Sequence, residues 1–322
     1  MSLESSFFAE IITNKSPNSV EFFHQQESGP VLLAYTWDNY VTICVLHFPE
    51  LEHDIPEFTY ENLTDIDHGS SATKIAWSPK TSMLMHPVGI VFATIGLDCS
   101  LKYYQVNNKM EVSAKPLGSH RSFINDCSFE PSKGREVASV GDDKKCRIWD
   151  SDTCEEIMCL PLTSAGKSVK WNINDNGKLL VGEQNGTIRL YDVFSYLPLF
   201  TLSCLNASSV LTSVDWSLLD PQKIGCVAGK YWYIWDVSKG SIPESSGVAH
   251  SDSAHEFRFS NIDARIYSTR GRPENEFKVY FSHKDKIPVS TLTKIGNGSS
   301  WHNLLPIVAI GANRKVALYS LQ

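Results

Sequence analysis

The sequence predicts an all-β protein built as a ring of seven small antiparallel sheets, and three observations predict it. First, similar short strands recur along the chain: TICVL with Cys44, LKYYQV with Tyr104, CRIWD with Trp149, TIRLYDV with Tyr191, YWYIWDV with Trp235, FKVYF with Tyr280 and VALYSL with Tyr319, at steps of 60, 45, 42, 44, 45 and 39 residues. A period of about 40 to 50 residues is the mark of a repeat architecture. Second, an apolar strand ending in an aromatic lies upstream within the repeats: KIAWSP with Trp77, NDCSFEP with Phe129, SVKW with Trp171, SVDW with Trp216 and FRFS with Phe259. Third, Gly, Asn, Asp and Pro separate these runs, and no segment shows a long helical period. About four strands per unit is the construction of a β-propeller blade.

The elements follow in chain order. FFAEIIT, Phe7 to Thr13, precedes the innermost strand of the first unit, NSVEFFH, while the last unit stops at Gln322 after its third strand. Residues 7–13 are therefore expected to supply the missing outer strand and close the ring, since the sheet edge would otherwise be bare. The oversized first step is expected to hold two long loops, at about 47–67 and 80–89, near His53 and Met83. Insertions of that kind serve more often as binding surface than as core. The whole chain, 1–322, is read as one propeller domain, because all-β assemblies often exceed roughly 200 residues as a unit.

Composition excludes several classes of function. Lys plus Arg total 29 against 36 for Asp plus Glu, a net charge of −7, with no long basic run. This argues against direct nucleic-acid binding, which draws on clustered Lys and Arg. The amino terminus, MSLESSFFAEIITNK, lacks the basic and apolar regions of a secretory signal. The longest apolar run, Val88 to Leu97, is about half the ~20 residues of a spanning helix. A soluble, intracellular chain is expected, in which the eight scattered cysteines, without a CxxC pair, are buried or half-buried thiols and neither disulfides nor a zinc site. No cofactor is expected.

SVGDDKKCRIWD, Ser139 to Asp150, together with His120 supplies a serine, a histidine and an aspartate, the ingredients of a hydrolase triad. The local pattern argues otherwise. Ser139 lies within a strand and not in a GxSxG elbow, Asp143 sits in a polar turn where it can accept from backbone N–H groups and from His120, and a buried Trp149 indole needs an acceptor. LGSHRSFINDCSFEPSKGREVASVGDDKKCRIWD, Leu117 to Asp150, resembles a nearly complete WD repeat of the WD40 family of β-propellers. That resemblance implies a buried hydrogen-bonded tetrad, which carried over is His120, Ser139, Asp143 and Trp149. Counted at the same spacing, the serine place in the seven units reads Ala34, Thr94, Ser139, Val181, Gly225, Arg270 and Ala309, and the aspartate place Asp38, Asp98, Asp143, Asn185, Gly229, Glu274 and Asn313. On this count only the third unit keeps all four groups.

The ordered series TKIAWSPK, FINDCSFEPSKGREVASVGDDKKCRIWD, NGTIRLYDV, AGKYWYIWDV and GSSWHNLLP resembles the nucleoporin 37 family, small WD-repeat subunits of the Y-shaped outer-ring complex of the nuclear pore. The likeness runs from about Thr73 to the end and is weakest before residue 60. It implies a non-enzymatic scaffold at the nuclear envelope that docks onto nucleoporin 160 and supports transport of protein and mRNA, with visits to kinetochores in animal cells. A rival class, substrate receptors of cullin ubiquitin ligases, typically has Arg two residues after the WD dipeptide's Asp; here Asp152, Phe194 and Ser238 stand there. A propeller enzyme would need convergent carboxylates or histidines, and the ten histidines are dispersed. Candidate partner-binding residues are Tyr231 and Trp232, after the short AGK turn, and the loop residues His53 and Met83. Lys133, Arg135, Lys144, Lys145 and Arg147 form a modest basic patch, read as solvated surface.

Overall fold

Runs of β-branched and aromatic residues four to nine long, cut by turn-forming residues, can bury their apolar sides only by stacking sheet on sheet. In the computed structural model this produces seven four-stranded antiparallel sheets. The structure describes residues 5–24, 31–52, 54–82, 89–204, 209–282, 288, 290–292 and 295–321. Among them there is no helix, and hence none long and apolar enough to cross a membrane.

The innermost strands of blades 1 to 7 are Ser19–Phe22, Ala72–Trp77, Ile124–Phe129, Gly166–Trp171, Leu211–Trp216, Ala254–Phe259 and Ser299–Trp301. Each packs on the next, and the seventh packs on the first, so the sheets form a closed ring, a seven-bladed β-propeller. Ser5–Ile12 is the outer strand of blade 7, antiparallel to Lys315–Leu321 from Ser5 opposite Leu321 to Ile12 opposite Lys315, with a bulge between Phe7 and Ala9. The two ends of the chain thus share one sheet. Lys315 and Glu10 pair at 2.7 Å across that seam, while Ile11, fully buried, joins Val20, Phe22, Val316 and Leu318 in the core between blades 7 and 1.

The core is a series of such layers, one between each pair of neighbouring blades. Indole N–H groups tie the blades together as well. Trp77 Nε1 donates to Glu21 O (3.0 Å) and Trp171 Nε1 to Ser128 O (3.0 Å), each on the inner strand of the preceding blade. Of the eight cysteines, five are buried and three half-buried, and none is in a disulfide.

One expectation is corrected here. Much of the 47–67 stretch is not a loop: Thr59–Asp67 is the outer strand of blade 1, paired with Tyr40–His47. An edge strand half open to solvent can be polar at most positions, and TYENLTDID shows no apolar alternation for that reason. In the second insertion Ser82 and Gly89 exchange both backbone hydrogen bonds (2.9 and 3.0 Å). Met83 and His53 lie outside the described residues.

Candidate functional site

In blade 3 the strands Ile124–Phe129, Glu136–Gly141 and Lys145–Asp150 bring together the four side chains of the tetrad. His120 Nδ1 is 2.9 Å from Asp143 Oδ1, and its Nε2 is 2.8 Å from Ser139 Oγ. Trp149 Nε1 donates to the same Ser139 oxygen at 2.8 Å, and Arg121 N donates to Asp143 Oδ2 at 3.2 Å. One proton arrangement satisfies every group: Trp149 N–H to Ser139, Ser139 O–H to His120 Nε2, and His120 Nδ1–H to the Asp143 carboxylate. Burial lowers the His120 pKa, only partly offset by Asp143. Burial alone would raise the Asp143 pKa, but the bonds from His120 and Arg121 outweigh it and hold the carboxyl below its usual range. The Ser–His–Asp geometry is that of a triad, yet Ser139 is 0% exposed and its oxygen is engaged by an indole. No substrate carbonyl can approach it.

A second brace appears in blade 6, where the fixed-spacing count placed Arg270 and Glu274. His250 Nε2 lies 3.0 Å from Thr269 Oγ1 and Nδ1 lies 3.1 Å from Glu276 Oε2, while Tyr280 O–H donates to Ala249 O at 3.2 Å. The count failed because it assumed the three-residue turn of blade 3. Pairing shows four residues in this turn, 272–275, and two in blades 1, 5 and 7. The residues that face the equivalent of Arg147 are Tyr35, Cys226, Thr269 and Ile310, in place of Ala34, Gly225, Arg270 and Ala309. In blade 4 a buried Glu183 substitutes for the brace: Oε2 accepts from Thr163 N, Thr163 Oγ1 and Ser164 N (2.8, 2.6 and 2.8 Å), and Oε1 pairs with Arg189 at 3.0 Å.

The aromatic candidates divide. Tyr231 is half-buried beneath Lys230, whose Nζ is 5.5 Å from the ring centre. Trp232 is only 2% exposed and packs against Tyr267 (5.2 Å) and Tyr280 (6.1 Å), so it is core between blades 5 and 6 and not a partner contact. The Gly229–Lys230 turn is so tight that pairing begins at Ala228 and Tyr231, and strand parity then turns Trp232 inward. In the basic patch Arg147 is held by Glu156 and Asp143, and Arg135 by Asp150.

The central channel carries a set of charged residues that the strand-by-strand reading did not single out. Lys74 and Asp126 stand three residues before the marker aromatics of their inner strands; Lys170, Asp215 and Arg258 stand one before theirs, and Glu21 stands one before Phe22 on the inner strand of blade 1. A polar residue at those two offsets in successive inner strands is the sequence signal for a channel-facing side, by strand alternation. Arg258 pairs with Glu21 and, at 3.2 Å, with Glu256, which also pairs with Arg270 at 3.1 Å. Below this belt the inner strands end around a funnel of about 720 Å³, lined with Trp77, Phe129, Trp171, Trp216, Phe259 and Trp301. Among the described residues no group of three or more His, Cys, Asp and Glu is placed to hold a metal.

Comparison with known proteins agrees with this architecture. The family model "WD domain, G-beta repeat" matches residues 112–150, the blade with the complete brace. The chain is 36% identical to Nucleoporin Nup37 of Mus musculus and 35% identical to that of Homo sapiens, in each case over 306 residues, 93% of this chain and 92% of the relative. It is 29% identical to Nucleoporin Nup37 of Drosophila melanogaster over 300 residues, 90% of each chain.

Proposed function

The chain belongs to the Nucleoporin Nup37 family of WD-repeat propellers, and on that premise we propose that it is a non-enzymatic scaffold subunit of the Y-shaped outer-ring complex of the nuclear pore. The observation that carries the reading is likeness over nine-tenths of both chains at 35–36% identity, which takes in every blade and not one repeat. The whole chain, 1–322, acts in this reading as one rigid propeller domain. It docks onto nucleoporin 160, resides at the nuclear envelope, and supports pore assembly and with it protein and mRNA transport; attendance at kinetochores in mitosis belongs to the same proposal. The braces of blades 3 and 6 support a structural role, because their polar groups are satisfied internally and the hydroxyl at the centre of each, Ser139 or Thr269, is buried.

The test is to tag the protein, image interphase cells and purify it under mild conditions. A nuclear rim and outer-ring nucleoporins in the eluate are expected. A diffuse signal without a rim, or recovery of a cullin adaptor in their place, would refute the reading.

A further inference from the structure

The mouth of the central channel on the side where the inner strands begin holds a cavity of about 160 Å³. Five of its lining side chains are cationic, Lys74, Lys167, Lys170, Arg258 and Arg270, against two carboxylates, Asp126 and Glu256. The contacts decide which of these charges are already committed. Glu256 is divided between Arg258 and Arg270, and its Oε2 also accepts from Ser299 Oγ at 3.1 Å. Arg258 has Glu21 as a second partner, and Lys167 pairs with Asp142 at 2.7 Å. Asp126 turns both oxygens to the protein: Oδ2 accepts from Ser168 Oγ (2.9 Å) and Val169 N (3.1 Å), and Oδ1 from Cys127 N (3.1 Å).

Lys74 and Lys170 remain. Neither has an ion-pair partner within 4 Å among the described residues, although both line the cavity and both are half-buried. These half-buried ammonium groups lie beside two guanidinium groups and meet Asp126, Asp215 and Glu256 only at longer range, so an anion in direct contact is what the site lacks among the described residues. Neighbouring groups respond to these cations. Burial is the largest influence lowering the His255 pKa, and Arg270 and Arg272 lower it further. Burial would raise the Asp126 pKa, yet Lys170 and Lys74 hold it below the ordinary value. The space is well above the roughly 15 Å³ that seats one water and well below the roughly 300 Å³ where pockets for drug-sized ligands begin.

We propose that this cavity is a binding site for a small oxyanion of the phosphate class, held between Lys74 of blade 2 and Lys170 of blade 4 with Arg270 of blade 6 beside it. The bound anion bridges three blades across the axis and gives Lys74 and Lys170 the contact partner that the described residues do not supply. The inference does not depend on the outer-ring reading; either stands if the other fails.

The experiment uses the full chain with inorganic phosphate as the probe. Isothermal titration calorimetry gives the stoichiometry. Thermal unfolding in sodium phosphate is compared with sodium chloride at matched ionic strength, because phosphate also stabilises proteins by general exclusion. One phosphate per chain and a rise in Tm that saturates with concentration are expected for the wild type. Both are expected to vanish in Lys74→Met/Lys170→Met and to persist in Lys133→Met, a surface control. If the double variant does not fold, each single variant is expected to weaken phosphate binding several-fold. An absent or non-saturating response in the wild type, or one unchanged in the lysine variants, overturns the proposal.

Discussion

Removing one oxygen atom from Ser139 tests the account of the brace directly. Ser139 Oγ is the only link between the indole of Trp149 and Nε2 of His120, at 2.8 Å to each, and the site is closed to water. Ser139→Ala keeps the shape of the strand and opens no sizeable cavity. It strands two buried polar groups, each of which costs about 1–3 kcal/mol when left unpaired, so a loss of roughly 2–6 kcal/mol is expected. Thr269→Val in blade 6 is the matched comparison. It orphans His250 Nε2 alone, because Tyr280 keeps its bond to Ala249 O, so about 1–3 kcal/mol is expected. Urea denaturation followed by tryptophan fluorescence and circular dichroism gives both values. A Ser139→Ala change within about 0.5 kcal/mol of wild type, the range of ordinary surface substitutions, would refute the reasoning. So would a Thr269→Val loss larger than that of Ser139→Ala.

Three other outcomes follow from the geometry. Ile11→Ala in the closing strand is expected to cost about 2–5 kcal/mol by opening the core between blades 7 and 1, whereas Ile12→Ala, 70% exposed, stays within about 0.5 kcal/mol; equal effects in denaturant melts would mean that the closing strand does not seal that seam. Arg258→Ala leaves Glu21 without its guanidinium in the channel and is expected to cost about 3–5 kcal/mol, read as a fall in the urea midpoint. Burial lowers the pKa of His68, His120, His250, His255 and His302, the last to about 4. Their protons bind more readily to the unfolded chain, so this stability is complete above about pH 6.5 and is lost as pH falls towards the folded values. A urea midpoint that stays flat between pH 7.5 and 5 would contradict it.

What the amino-acid sequence determines by itself is the repeat and the one brace whose spacing is undisturbed. The strands around Cys44, Tyr104, Trp149, Tyr191, Trp235, Tyr280 and Tyr319 recur because each sheet must present the same pair of faces to its neighbours, and that demand survives the loss of most motif residues. His120, Ser139, Asp143 and Trp149 are legible because a three-residue turn keeps strand register and residue count in step. Two- and four-residue turns break that proportionality, so the brace of blade 6, with Thr269 and Glu276, comes out of register in any fixed count and emerges only from the pairing of strands. The same parity hides Trp232 between blades and turns Lys74 and Lys170 into the channel. A side chain's face changes with every residue, and which face becomes core, channel or solvent is decided by the ring as a whole.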